Sequence, residues 1–321
     1  MKFGVELGNQ TTKDMIRISQ LAEECGFNTI WVADHAPSFP WRDVFVSMAA
    51  IGQNTSSIRI GCGVCNPYSR HVGLTGVAVA TLIELFGERI LLGIGTGGTL
   101  PLKPLEIKMW EKPFSAIKES VQVLRSLFKG ELVDFKGEIV KLRGVKLFSS
   151  FFVPIYIGTR GLALSKLAGE IADGVILNPP LGATQCYIEQ IKMGLASSGR
   201  SKIDVVEFLP VVVSKNVNPV KPIVALLIPT TPSFALEMIG AKEQANMINE
   251  ILKIDIKKAA ELVTDNLVAS FAVAGDVNHC ISQIEALEEA GVDELVALSF
   301  GSLSSILKMI RIFGEKIIPS F

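Results

Sequence analysis

Short continuous apolar runs alternate along this chain with longer stretches of helical apolar spacing. Phe3-Gly4-Val5-Glu6-Leu7 reads as a first strand, and a helix from about Thr12 follows, with apolar positions at Met15, Ile16, Leu21 and Ala22 and a stop at Gly26. Asn28 to Ala33 is a second strand ending in Asp34-His35; a Pro-rich loop then leads to a helix near Val44 to Asn54. The third strand, from Ser57, is broken by Gly61 and Gly63, and it must end before Pro67, which has no amide hydrogen for a ladder. Gly73 to Phe86 is helical. Arg89 to Gly95 is a fourth strand whose unbroken apolar run implies burial on both faces, the habit of parallel sheets.

A long loop from Thr96 to Lys112 precedes a helix from Pro113 to Phe128, with proline in the first turn. Val133 to Leu147 reads as a short antiparallel excursion around Lys136-Gly137. Strands five to eight are Val153 to Gly158, Gly174 to Asn178, Val205 to Val213 and Glu294 to Ser299. Helices are expected at Leu162 to Ile171, Gln185 to Ser197, Val277 to Ala290 and Ser304 to about Lys316. Residues 214–275 are mostly helical and longer than one return helix requires, so they form an insertion after strand seven. Eight buried strands, each followed by helix, predict an α/β fold: one (β/α)8 TIM barrel domain over residues 1–321.

Composition changes this picture little. Hydrophobic residues make up 49% of the chain and charged residues 20%, enough for a large core, and a net charge of −1 without a basic run argues against a nucleic-acid binder. Any anionic ligand must therefore be held by local donors. No apolar run reaches membrane-spanning length, the longest candidate being Pro222 to Pro232, and the chain enters its first strand with no signal peptide ahead of it, so a cytoplasmic protein off the membrane is expected. Five cysteines include a C-x-x-C at Cys62 and Cys65, but no second pair completes a metal site, and the first cysteine lies in a strand rather than at a helix start. His35, His71 and His279 are too far apart for a local metal cluster. No metal is expected.

The candidate chemistry lies at the carboxyl ends of the predicted strands, where barrel enzymes place catalysis: Glu6, Asp34, His35, Asn66, Thr96, Arg160 and Asn178. Glu6 facing the barrel mouth would have a raised pKa and serve as a general acid, or else be a structural carboxylate paired with Arg or Lys. Asp34-His35 could be an oriented acid–base pair or a cap for the following loop. The stretch from Ser57 to His71 delivers Asn66, Tyr68, Arg70 and His71 to one place, either as a backbone distortion holding a flat ligand or as a plain strand and turn. Gly93-Ile94-Gly95-Thr96-Gly97-Gly98 matches the dinucleotide fingerprint, but Pro101 and Pro104 prevent a helix from opening there; the loop can still admit a ring or phosphate to backbone N–H groups. Gly158-Thr159-Arg160-Gly161 joins a strand to a helix whose first turn offers free N–H donors, an anion site or an ordinary turn. Trp31, Trp41 and Trp110 are read as packing residues, with Trp41 in a mouth loop.

Together these residues resemble a family. Phe3-Gly4-Val5-Glu6, Trp31-Val32-Ala33-Asp34-His35, Gly63-Val64-Cys65-Asn66-Pro67-Tyr68 with Arg70, Gly93-Ile94-Gly95-Thr96-Gly97 and Pro154-Ile155-Tyr156-Ile157-Gly158 are similar to the luciferase-like superfamily. Within it they most resemble the coenzyme F420-dependent methylenetetrahydromethanopterin reductases of archaea. The resemblance implies a barrel with an insertion after strand seven, a homodimer or larger assembly, and a non-prolyl cis peptide joining Gly63 to Val64 that presses the backbone against the deazaflavin. It implies hydride transfer from reduced F420 to a one-carbon unit on the pterin, turning methylene to methyl while an amine nitrogen is protonated. Glu6 would be the proton donor, with Asp34 and His35 lining the site. Gly63, Val64, Asn66, Tyr68, Gly95, Thr96, Gly97 and Asn178 would contact the cofactor, and Gly158, Thr159, Arg160 and Gly161 would receive its phosphate.

This chain departs from the family pattern at Gly98, where an acidic residue is usual, in the loop from Phe39 to Trp41, and most of all from Val217 to Asp276. Asp34-His35 with Trp41 and the Gly-Thr-Gly loop also resembles F420-dependent sugar-phosphate dehydrogenases. The alternatives are therefore another F420-dependent dehydrogenase acting on an alcohol or sugar phosphate, an FMN-dependent luciferase-like monooxygenase, and a flavin-binding paralogue without turnover.

Overall fold

The computed structural model describes residues 1–37, 40–98, 102–108 and 112–321. Phe39, Pro101 and Trp110, singled out above, lie outside the described residues. Eight parallel strands form the barrel: β1 (Lys2–Leu7), β2 (Thr29–Val32), β3 (Arg59–Cys65), β4 (Ile90–Gly95), β7 (Ile155–Gly158), β8 (Gly174–Leu177), β9 (Asp204–Val213) and β11 (Glu294–Leu298). Each pairs with the next; β9 also pairs with β8 and with β11, and β11 with β1, which closes the ring. The antiparallel excursion is the hairpin of β5 (Val133–Lys136) and β6 (Lys141–Val145).

Two apolar layers hold the barrel. Outward-facing strand residues such as Val5, Ile30, Ile60 and Leu92 pack under the helices. Inside, Trp31, Leu91, Tyr156, Ile176, Val206, Phe208 and Val296 make a solid plug. The large rings fit because neighbouring strands offer glycine: a Cβ on Gly61 would lie 2.4 Å from the Trp31 ring, and one on Gly174 would lie 2.0 Å from Tyr156. Trp31 Nε1 donates to Glu294 Oε1 at 3.3 Å and Tyr156 Oη donates to Asp204 Oδ2 at 3.0 Å, so the buried polar tips are satisfied. The plug leaves the carboxyl-terminal mouth as the place for chemistry.

Residues 214–275 form the expected helical insertion, with a core of their own around Val220, Val224, Ile248, Leu267 and Phe271. The stretch is not helical throughout. It ends in a short strand, β10 (Val273–Gly275), which extends the sheet by pairing with Val211 to Val213 of β9. The loop from Thr96 to Lys112 includes a tight turn at Lys103–Leu105. The closing helix, Leu303–Ile312, runs into a π-helical turn at Phe313–Ile317, and the rings of Phe313 and Phe321 pack on Phe3. Among the described residues, no helix is long and apolar enough to cross a membrane.

One carboxyl sits in the outer layer, where the sequence pattern reads only an apolar strand. Glu207 on β9 is fully buried and bonded by Thr184 Oγ1 at 3.0 Å; burial pushes its pKa up to about 8. In the unfolded chain the value is 4.5. A raised carboxyl pKa contributes stability that is complete below the unfolded value and lost as pH rises through the folded one, at about 1.4 kcal/mol per unit. Urea unfolding should therefore show a stability that declines from mildly acidic pH to above pH 8, and Glu207→Gln should flatten much of that decline. An equal decline in both proteins would refute this role for Glu207.

Candidate active site

The site begins with a register break. Cys62 pairs with Leu92 but Cys65 pairs with Ile94, so β3 carries one extra residue where β4 carries none. The peptide Gly63–Val64 inside this bulge is cis. Both residues turn inward. A Cβ on Gly63 would meet the rings of Phe208 and Trp31 at 3.1 and 3.2 Å, and the Val64 side chain lies over the inner faces of β4 and β7. A Cβ on Gly95 would lie 2.8 Å from Val64 Cγ2, and one on Gly158 would lie 2.5 Å from Val64 Cγ1. The Gly-x-Gly of β4 thus makes room for the bulge rather than wrapping a dinucleotide. Cys62 and Cys65 flank it as buried free thiols on the outer face, and Cys65 Sγ donates to Gly93 O at 3.4 Å.

Beyond the bulge, Asn66 is buried, and its Oδ1 accepts from the backbone N–H groups of Tyr68 and Ser69 at 3.1 and 2.8 Å. That fixes the amide, and its Nδ2 is left buried without a partner among the described residues. Gly97, with φ of +68°, lets the strand-four loop lie against this amide. Thr96 and Tyr68 stand on the same rim, both half-buried.

Glu6 stands at the end of β1, buried. Burial raises its pKa to about 7, opposed by a hydrogen bond from the Ser299 backbone N–H. No Arg or Lys pairs with it among the described residues. Asp34 and His35 follow β2. Burial, with Asp43 adding, raises Asp34 to about 6 against the pull of Arg70. Burial, with Arg160 adding, lowers His35 to about 4, so its ring is neutral. His35 Nδ1 has no partner among the described residues, and its ring rests on Trp41 at 4.2 Å between centroids. Packing on Trp41, rather than a bond to Asp34, orients the imidazole. The following helix, Val44–Gln53, is capped by Asp43, not Asp34.

Gly158 to Gly161 join β7 to the helix Leu162–Ile171, whose N-cap is Gly161 without a side-chain cap. Thr159 Oγ1 accepts from Gly161 N at 2.9 Å and Tyr187 Oη donates to Arg160 O at 2.9 Å, shaping the turn. The Arg160 guanidinium donates to Thr230 of the insertion, and burial lowers its pKa to about 10, leaving it charged at neutral pH. Asn178, beyond β8, donates from Nδ2 to Phe208 O and keeps a buried Oδ1 without a partner among the described residues.

The predicted residues lie at or just beyond the carboxyl ends of their strands, with an exception. His71 turns away. Its Nδ1 accepts from Gly73 N at 3.1 Å, capping the helix Val72–Phe86, and its Nε2 lies 2.9 Å from Lys141 O on the hairpin. Arg70 stays, its guanidinium 4.7 Å above the Phe45 ring and its Nε buried without a partner among the described residues. Sequence reasoning missed Gln10, while Trp41, read as a packing residue in a mouth loop, packs on the backbone of Gly8 and on the His35 ring. Among the described residues, no cluster of His, Cys, Asp and Glu could hold a metal.

Among the described residues the rim thus presents unpartnered buried donors and acceptors on His35, Asn66, Arg70 and Asn178, an uncapped helix start beside Arg160, and a carboxyl that titrates near neutrality. That set fits a polar, phosphate-bearing ring cofactor with a proton donor at hand.

Comparison with known proteins agrees. The model of the luciferase-like monooxygenase family matches residues 1–294. A 5,10-methylenetetrahydromethanopterin reductase of Archaeoglobus fulgidus is 34% identical over 99% of both chains, and one of Methanolobus tindarius is 31% identical over 99% of this chain and 100% of its own. The solved structure of a coenzyme F420 dependent tetrahydromethanopterin reductase from Methanopyrus kandleri superposes with a TM-score of 0.91 at 27% identity, covering 100% of this chain and 99% of the other.

Proposed function

The chain belongs to the luciferase-like monooxygenase family, and from that premise we propose that it is a coenzyme F420-dependent 5,10-methylenetetrahydromethanopterin reductase, an oxidoreductase of one-carbon metabolism. The observation that carries the reading is Glu6: a buried carboxyl at the mouth, free of a cationic partner among the described residues and titrating near pH 7, in a chain similar end to end to such reductases.

Bound reduced F420 supplies the hydride. The chain's residues position, shield and protonate. Gly63 and Val64 offer an apolar bulge for one ring face, and Asn66 Nδ2 and Asn178 Oδ1 offer a donor and an acceptor to polar ring or ribityl atoms. Gly95, Thr96, Gly97 and Tyr68 complete that wall. The N–H groups from Thr159 to Gly161, with Arg160, suit the cofactor phosphate. Glu6, protonated below about pH 7, gives its proton to the amine nitrogen that leaves the bridging carbon. Neutral His35, packed on Trp41, and Asp34 line the pterin side. Residues 1–321 act as one barrel domain in the cytoplasm, with the 214–275 insertion bordering the substrate.

The test is a fluorescence titration with F420 and with FMN, followed by turnover assays on the pterin, a secondary alcohol and glucose 6-phosphate. Selective F420 binding with turnover of the pterin alone is expected. Preferred FMN binding with oxygen consumption would replace this reading by the monooxygenase one.

The enzyme works as a homodimer. The helices Val44–Gln53 and Val72–Phe86 pack side by side with apolar outer faces, exposing Val46, Leu74, Val77 and Leu85, and Glu84 is their sole charge. Helices apolar all round belong in an interior, and a second copy of the same face would supply one. Leu74→Glu with Val77→Lys should halve the mass seen by light scattering. An unchanged mass would place the interface elsewhere.

A further inference from the structure

The residue that follows Glu6's register partner is held through its hydroxyl by a side chain outside the family motifs quoted above. Glu6 pairs in register with Leu298, so Ser299 directly follows its partner across β1 and β11, and the Ser299 N–H there lowers the pKa of the Glu6 carboxyl. Ser299 Oγ accepts from Gln10 Nε2 at 2.8 Å, and Gln10 Oε1 accepts from the Gly8 N–H at 2.8 Å. Gln10 therefore bridges the loops leaving β1, which carries Glu6, and β11, which flanks it on one side. The Trp41 ring lies on Gly8, so close that a Cβ there would fall 1.8 Å from Cζ3. This cover excludes water from one end of the bridge, where hydrogen bonds are stronger.

We infer that Gln10 is a positioning residue for the proton donor: its amide clamps Gly8 to Ser299 and so holds the Ser299 N–H on the Glu6 carboxyl. The inference rests on Glu6 being the proton donor. It assigns Gln10 no contact with cofactor or substrate. Without the clamp the Ser299 N–H is free to swing off, and the charged form of Glu6 loses the donor that stabilises it. The ionisable groups on or just beyond the flanking strands are Asp34 and His35 after β2 and Glu294 on β11; none contributes to the Glu6 shift, so the clamp acts on a group otherwise governed by burial.

The test reads Glu6 without turnover. In the cofactor-free protein, the infrared carbonyl stretch of the protonated carboxyl is assigned by its loss in Glu6→Gln and followed against pH. Gln10→Ala and Ser299→Ala should each raise the midpoint by about half a unit or more. The double variant should raise it no further, since both remove one bridge. Ser299→Thr, which keeps the hydroxyl, should stay near wild type. Steady-state kinetics should then show the alkaline limb of kcat moved the same way, with KM for F420 unchanged. An unmoved midpoint in both single variants, or shifts that add in the double, would overturn the clamp. The outcome is separable from the proposed activity: absence of pterin turnover in the wild type would sink the reductase reading and leave the infrared result standing.

Discussion

Glu6→Gln should lower kcat by about a hundredfold to ten-thousandfold, the span that a general acid contributes, with KM for both substrates little changed. Gln matches the protonated carboxyl in shape but has no acidic proton to give. The pH profile carries the sharper signature. Wild-type kcat should be high below about pH 7 and fall tenfold per unit above it, because the donor must be protonated and its carboxyl titrates there. The residual rate of Glu6→Gln should lack that limb. Stability should move oppositely: with its folded pKa raised from 4.5 to about 7, Glu6 contributes stability that is lost as pH rises through 7, so Glu6→Gln should unfold at higher urea than wild type at alkaline pH. Wild-type kinetics in Glu6→Gln would remove it from the mechanism.

Gly158→Ala should weaken F420 binding by about fivefold to a hundredfold, because its Cβ would fall 2.5 Å from Val64 Cγ1 and overpacking of this kind costs about 1–3 kcal/mol. The bulge must shift, or the valine must leave its well. Val64→Ala combined with Gly158→Ala should recover most of the loss, since nothing else crowds that Cβ. Gly93→Ala should behave differently. Its Cβ would fall 2.3 Å from the Cys62 carbonyl oxygen, a backbone atom, so Val64→Ala should rescue neither binding nor melting temperature. Fluorescence titration and thermal melts of the five proteins decide it. Equal rescue of both glycine variants would mean that the bulge is not seated as described.

The barrel was readable because its strands are short apolar runs and its helices carry long-period stripes, signals that depend only on nearby residues. The rim was readable for the same reason, since polar residues interrupt those runs at their ends. What escaped depends on neighbours distant in sequence. Gly93 and Gly95 read as a loop open to a ring or phosphate, yet their lack of Cβ serves Val64 on the adjoining strand, a relation set by register. His71 sits two residues from Gly73, close enough to cap the helix with its own ring, and residue spacing does not say which way a side chain will turn. Glu207 is one charge in an apolar strand, and its partner Thr184 belongs to another element. Gln10 meets Ser299 across 289 residues, through barrel closure alone.

The most direct test of the account is an anaerobic one. The purified protein is loaded with reduced F420, methylenetetrahydromethanopterin is added, and the absorbance of the oxidised deazaflavin is followed. The account predicts prompt return of that absorbance, one cofactor oxidised per methyl product, in the wild type and not in Glu6→Gln. Tight binding of reduced F420 with no return of absorbance would contradict it.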